Sequence, residues 1–232
     1  MKSKKIAPWE LLQKKMTWEQ LKQIHGKKVL DFGSGNGVTA SHFAIDNEVA
    51  AVEPDENMLQ NRCTENNYVQ IKGSVKALEN FEDESFDAIL CHNVFEYVRD
   101  RTEIVKEFSR ILRPKGYLSV IKHNRAGRVM QMAVLLNDFE HANELLEGKN
   151  GQSQKFGTIH YYEDQELLSW FHDFKLEKVL GMRTFWDLQQ NQEVQKDTAW
   201  QEQMLKMELR VSELKEYKAI AFFHHVILSK ES

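Results

Sequence analysis

Three glycines stand at alternate positions in Val29-Leu30-Asp31-Phe32-Gly33-Ser34-Gly35-Asn36-Gly37, directly after an apolar run. Such a loop lets the backbone approach a bound molecule and aims the start of the next helix at it. Glu53, 16 residues beyond Gly37 and followed by Pro54, stands where a carboxylate can accept both hydroxyls of a ribose. The spacing separates ligand types. A dinucleotide fingerprint needs a glycine at position 38, which is Val, and a P-loop needs a Lys after its last glycine, which is absent here. Further along, His92 is a candidate ligand contact or base, and His123 with Asn124 are candidate substrate contacts. Arg125, Arg128 and Arg183 are candidates for holding an anion, since a guanidinium pairs bidentately with a carboxylate or phosphate. Cys91, beside Leu90, reads as a packed thiol rather than a nucleophile. His224 and His225 are neighbours in a strand, where side chains alternate faces, so the pair reads as structural and no metal site is expected. The five tryptophans are scattered, and core packing is the default reading for each.

These residues need a frame that brings them to one edge. Val29 to Phe32, Val49 to Glu53, Tyr68 to Ile71, Phe86 to Cys91 and Tyr117 to Ile121 read as short buried strands. Between them, Thr39 to Ile45, Asp55 to about Glu65 and Thr102 to Leu112 read as helices, the last stopped by Arg113-Pro114-Lys115-Gly116. Strand alternating with helix predicts a parallel sheet with crossover helices, a doubly wound α/β domain over 28–232. Ahead of it, Pro8 to Ile24 carries apolar residues at helical spacing and makes 1–27 an N-terminal helical segment. After Lys122 the rhythm changes. Arg125 to Leu146 reads as two helices, Gly148 to Gly157 as a polar loop, Asp164 to Phe171 as a helix, and Asp187 to Tyr217 as helical. Phe174 to Trp186 and Ala219 to Leu228 read as two long strands. The stretches near 125–160 and 187–217 are best placed as insertions over the sheet's ligand edge, on the acceptor side.

Composition agrees with a globular domain. Of 232 residues 41% are apolar and 28% charged, and 31 basic against 35 acidic side chains leave a net charge of −4. That balance argues against indiscriminate nucleic-acid binding while allowing a local basic patch. No apolar run approaches the length of a membrane span, and the basic start, Met1 to Ile6, leads into no apolar signal segment. Two cysteines, Cys63 and Cys91, fit a cytoplasmic setting in which both stay reduced.

The glycine loop, Glu53 and Arg110-Ile111-Leu112-Arg113-Pro114-Lys115-Gly116, in that order, resemble class I S-adenosylmethionine-dependent methyltransferases over residues 28–121. The resemblance implies a seven-stranded, mostly parallel Rossmann-like sheet whose last strand is antiparallel, and S-adenosyl-L-methionine as cofactor. It places Asp31, Gly33, Ser34, Gly35, Gly37, Glu53, Pro54, Ser74, Val75, Lys76 and His92 at the cofactor. Many relatives carry an Asp near the adenine amino group where this chain has Ser74. A narrower resemblance lies in Cys91-His92-Asn93-Val94-Phe95-Glu96-Tyr97-Val98, Lys122-His123-Asn124-Arg125-Ala126-Gly127 and Gly181-Met182-Arg183-Thr184-Phe185-Trp186-Asp187. These look like the bacterial tRNA 5-carboxymethoxyuridine methyltransferases, which esterify a carboxylate on the wobble uridine. That likeness implies an anionic acceptor at His123, Asn124, Arg125 and Arg183. The amino-methylating signature Asn/Asp-Pro-Pro-Tyr/Phe is missing after strand four, where Cys91-His92-Asn93-Val94 stands, so an oxygen acceptor is expected. Left open are tRNA against a small acid or alcohol, a non-catalytic binding module, a nicotinamide dehydrogenase disfavoured by Val38, and the oligomeric state. No membrane partner is expected.

Overall fold

The computed structural model describes residues 6–153 and 156–232. The basic start at 1–5 and positions 154 and 155 of the expected polar loop lie outside the described residues. Seven strands form one sheet: β1 (Lys28–Phe32), β2 (Glu48–Glu53), β3 (Val69–Lys72), β4 (Phe86–His92), β5 (Leu112–His123), β8 (Phe174–Met182) and β9 (Phe223–Lys230). Their order is β3-β2-β1-β4-β5-β9-β8, with the first five parallel and β9 antiparallel to both its neighbours. This is the seven-stranded, mostly parallel Rossmann-like sheet expected from the motifs. The order reverses between β1 and β4, and open α/β sheets bind ligands at the carboxyl ends of strands at such a switch point.

Burial explains why these segments became strands. Val29 and Leu30 of β1, and Ile89, Leu90 and Cys91 of β4, are fully buried although successive side chains point to opposite faces. Both faces of the sheet are therefore covered, and central strands read as continuous apolar runs. One layer is built on Phe86, Phe95, Phe108 and Ile111, the other on Leu21, Phe43, Ala51 and Leu180. A third cluster joins Leu12 and Met16 of the first helix, α1 (Pro8–Gln20), to Met182, Trp186, Phe222 and Phe223. That contact holds α1 across the carboxyl end of β5 and the amino end of β9. Among the described residues no helix is long and apolar enough to cross a membrane.

Several boundaries differ from the sequence reading, each for a local reason. The first crossover holds α2 (Val38–Phe43), close to the expected Thr39 to Ile45, but in the second crossover α3 is only Glu56–Gln60 instead of reaching Glu65. Asp55 caps it, and Cys63 N then donates to Asn36 O, which draws the chain back to the glycine loop. The helix α4 (Thr102–Ile111) stops where expected, but the Arg113–Gly116 signal lies inside β5. There it forms a bulge, with pairing jumping from Phe86–Leu112 to Ala88–Tyr117 and Lys115 held at φ 64°. Two helices, α5 (Arg125–Met130) and α6 (Phe139–Leu146), flank a π-helical turn at Gln131–Leu135. The polar stretch after them holds a short hairpin, β6 (Gly151–Ser153) with β7 (Gly157–Ile159), before α7 (Asp164–Trp170). β8 ends at Met182 rather than Trp186 because Arg183 turns the chain at φ 59°. The stretch expected to be helical from 187 to 217 is continuously helical only in α8 (Thr198–Val211), with α9 (Lys215–Lys218) after it.

Candidate active site

The loop after β1 is built for close approach. Gly33 and Gly35 adopt φ 73° and 57°, a region that costs an L side chain steric strain. A Cβ on Gly33 would strike Val94, which leaves β4 alongside the loop. A Cβ on Gly35 would meet nothing within 4 Å, so Gly35 faces open space. Glu53, buried at the end of β2, clasps the loop from below: Gly35 N donates to its Oε2 at 2.7 Å and Asp55 N to its Oε1 at 2.9 Å. A carboxylate offers about four lone-pair sites, so roughly half remain for a ligand. Gly73 N donates to Glu53 O, which brings Ser74 and the turn starting Val75-Lys76 beside Glu53 and the exposed Pro54.

Two polar atoms at this loop are buried without a hydrogen-bond partner, Asp31 Oδ2 and Ser34 Oγ. Burial raises the Asp31 carboxyl to about 6, and Lys14 only partly offsets it. Lys14 reaches over from α1, its Nζ donating to Thr39 Oγ1 at 2.8 Å. Unpartnered buried polar atoms are rare in native proteins and call for a missing partner. A ligand that brings an ammonium and hydroxyl groups over Gly35 supplies those partners, so the residues present fit S-adenosylmethionine.

On the far wall stands His92, at the end of β4. Its Nε2 lies 2.8 Å from Ser119 Oγ, which lies 2.7 Å from His225 Nε2, whose Nδ1 is 2.8 Å from Gln20 Oε1. With the Gln20 carbonyl accepting, the proton order along this string leaves His92 with Nε2–H and a bare Nδ1. Burial, His225 and Lys14 hold the His92 imidazole well below its ordinary value, so it is neutral near physiological pH. The histidine pair at 224 and 225 splits across β9, since His224 Nδ1 lies 2.8 Å from Asp164 Oδ2 instead. Because His92 carries no charge to lose, His92→Asn is expected to lower cofactor affinity and turnover together. The shape of the pH–rate profile near neutrality should be unchanged. Calorimetry with the cofactor beside a pH series checks this, and an acid limb that vanishes in the variant would make His92 the base instead.

The residues expected at the acceptor divide into two groups. His123, at the end of β5, is set against Glu96, its Nδ1 2.9 Å from Oε1, and the others are committed elsewhere. Asn124 Nδ2 donates to the carbonyls of Ala219 and Ala221, tying the start of α5 to the segment before β9. Arg125 donates to Leu145 O and Lys149 O and stacks on Tyr161. Arg128 donates to Gln131 Oε1. Arg183 is no free clamp: its side chain is 6% exposed, both ends of the guanidinium bond Asp187, and Trp9, Phe222 and Phe223 surround it. The sequence reading missed Lys14, Gln13, Asn93 as a linker, Glu96 and Asp187. Of these only Glu96 left a trace, as a lone carboxylate in the apolar run Val94-Phe95-Glu96-Tyr97-Val98.

A methyltransferase-domain family model matches residues 30–120, the span from β1 through β5. An O-methyltransferase of ubiquinone biosynthesis from Xanthomonas oryzae is 30% identical over 170 residues, covering 68% of this chain and 67% of that one. The chain belongs to the class I S-adenosylmethionine-dependent methyltransferases. Solved structures agree at the level of the fold. A methyltransferase from Thermotoga maritima, described as a possible histamine N-methyltransferase, superposes with a TM-score of 0.61 at 19% identity, covering 97% of this chain and 93% of that one. One from Methanosarcina mazei gives 0.56 at 17% identity, with 90% and 93% covered. The chain is thus a methyltransferase whose cofactor is S-adenosylmethionine.

Proposed function

We propose that this methyltransferase carries the methyl group to an oxygen, the hydroxyl of a small molecule. The observation that carries the reading is the state of the arginines. Of the groups that would clamp a carboxylate or a tRNA phosphate, Arg183 is ion-paired with Asp187 and Arg125 is held by two backbone carbonyls, while Arg128 donates to the Gln131 amide and keeps a buried Nε without a partner. A neutral hydroxyl needs no such clamp. The net charge of −4 and the 30% identity to an O-methyltransferase support the same choice over a tRNA carboxylate. The test is to incubate the protein with labelled cofactor and fractionated host extract. Label in neutral small molecules is expected, and label in RNA would overturn the reading.

The cofactor, once bound, supplies an electrophilic methyl group on a sulfonium. The chain supplies position and electrostatics. In this reading Asp31 and Ser34 hold the amino-acid end, Lys14 faces its carboxylate, and Gly33, Gly35 and Gly37 pass beneath. Glu53 takes the ribose hydroxyls, Pro54, Ser74, Val75 and Lys76 border the base, and His92 closes the far wall. Glu53→Ala removes charge-assisted hydrogen bonds of about 1.5–3 kcal/mol each, so affinity should fall at least about tenfold with the fold retained. Gly35→Val should be worse, since it fills the open space and strains a left-handed residue. Calorimetry on variants with unchanged circular dichroism checks both; full affinity in a folded Glu53→Ala protein would remove Glu53 from the ribose.

A further inference from the structure

Resting on the cofactor placement above, we propose that Gln20, His225 and Ser119 are positioning residues which, through His92, set a bare Nδ1 to accept from the ammonium of S-adenosylmethionine. The sheet register puts these side chains in one row. Leu90 pairs with Ser119, His92 with Ile121, Ile121 with His225 and Ser119 with Ile227. Paired residues share a face of the sheet, as do residues two apart on one strand. His92, Ser119 and His225 therefore lie on the same face, and so does Asp31, which pairs with Leu90. The first helix covers that face. Gln20 is its last residue, and Leu21 after it packs in the cluster that holds Leu90 and Ile227. About two turns earlier on that helix, Gln13 donates to Asn93 Oδ1, and Asn93 Nδ2 donates to Glu96 Oε1. The helix that ends in Gln20 is thus also tied to the residue after His92.

With Gln20 Oε1 at His225, one proton order satisfies every contact in the row. The Gln20 carbonyl accepts from His225 Nδ1–H, His225 Nε2 accepts from the Ser119 hydroxyl, and Ser119 Oγ accepts from His92 Nε2–H. Ser119 and His225 are fully buried, and burial holds the His225 imidazole down to about 3, so neither water nor a second proton interrupts the row near neutrality. His92 Nδ1 makes no hydrogen bond among the described residues and is absent from the buried unpartnered atoms, so a ligand can reach it. What it meets follows from the strand order. β2, β1 and β4 are successive strands, so Glu53 and His92 flank the glycine loop from opposite sides. With Phe32 paired to Cys91, His92 stands beside Gly33. Lys14 acts electrostatically on both Asp31 and His92, which sets the two near one cation. The amino-acid end of the cofactor has one donor, its ammonium, while its carboxylate only accepts. A bare Nδ1 suits the ammonium, as does Asp31 Oδ2, buried without a partner; a proton on Nδ1 would oppose it.

The test is a change at the far end of the row. In Gln20→Leu, a proton kept on His225 Nδ1 would be buried without an acceptor, an arrangement rare in proteins. The row should then turn round, His225 Nε2–H donating to Ser119 and Ser119 to His92 Nε2, which puts the His92 proton on Nδ1. Nitrogen-15 NMR of the full chain without ligand reads this directly: His92 should be protonated at Nε2 in wild type and at Nδ1 in Gln20→Leu. Calorimetry then compares S-adenosylmethionine with its analogue lacking the amino group, and wild type should favour the first at least about tenfold. Gln20→Leu and Ser119→Ala, checked for folding by circular dichroism, should lose about tenfold on S-adenosylmethionine and stay within about twofold on the analogue. Equal losses on both ligands would make the row merely structural and overturn the proposal. So would a wild-type His92 protonated at Nδ1, an unchanged tautomer in Gln20→Leu, or variants that keep the full preference. If wild type binds both ligands alike, the cofactor placement stands and the ammonium contact fails; if it binds neither, the cofactor placement itself fails.

Discussion

Arg183→Ala is expected to destabilise the fold by about 3–5 kcal/mol, the usual result of removing one partner from a buried ion pair. The reason is what stays behind. Asp187 is also buried, it accepts from Arg183 and from Gln131 Nε2 at 2.9 Å, and it has no water to turn to once the guanidinium is gone. The guanidinium also fills the space between Trp9, Phe222 and Phe223, so its loss opens a gap where α1 meets the edge of β9. Arg183→Lys should rescue little, because an ammonium cannot span both carboxylate oxygens or stack on the rings. Removing both charges, in Arg183→Met with Asp187→Leu, should restore most of the stability. Urea unfolding of the four proteins decides it: a loss below about 1 kcal/mol in Arg183→Ala, the size of an exposed pair, would mean that solvent reaches the site.

Asp31→Asn should act in the opposite direction on stability and strongly against function. The folded carboxyl is raised from 3.8 to about 6 by burial, so the folded state holds its proton more tightly than the unfolded chain does. The contribution of Asp31 is therefore fully favourable below 3.8 and is lost as pH rises through about 6. Above that window the charged form costs about 3 kcal/mol, from 1.36 kcal/mol for each pH unit between the two values. The amide variant should be more stable than wild type at neutral pH by a large part of this, reduced by the lost attraction to Lys14. The difference between the two proteins should shrink below the window. Cofactor affinity should fall at least about tenfold in the variant, as for loss of a charged hydrogen bond. In the wild type, cofactor binding near pH 6 should release protons, measurable by calorimetry in buffers of different ionisation enthalpy. No gain in stability with full cofactor affinity would remove Asp31 from the site.

The contrast between these two residues shows what a linear reading can reach. Glu53 could be set beside the glycine loop from its spacing, and Asp31 from the resemblance, because the strand, the loop and the second strand are local. The parallel order followed from alternating strands and helices. Arg183 was misjudged because its fate depends on a left-handed turn that closes it onto Asp187, four residues later in the short 3-10 turn Trp186–Leu188. Lys14 and Gln13 were invisible as site residues because α1 reaches the cleft only through Leu12 and Met16 packing against Phe222 and Phe223. The Glu96–His123 contact spans 27 residues and two strand ends, so only the register of β4 against β5 reveals it. The Arg113–Gly116 punctuation was read correctly as the end of a helix, while its second role as a strand bulge needed the partner strand.

The placement of β9 between β5 and β8 bears on how the molecule comes into being on the ribosome. β8 pairs in the sheet only with β9, so one whole side of the sheet must wait until residues 223–230 have been made. The cofactor loop and Glu53 are complete some 170 residues earlier, counted from Glu53 to Phe223. The string from Gln20 through His225 and Ser119 to His92 joins residues up to 205 apart in sequence, and it closes only with that strand. Contacts of such long range are slow to form. A half-synthesised chain therefore carries the part that meets the cofactor without the part that orients His92, and the site becomes competent only as the final strand enters the sheet.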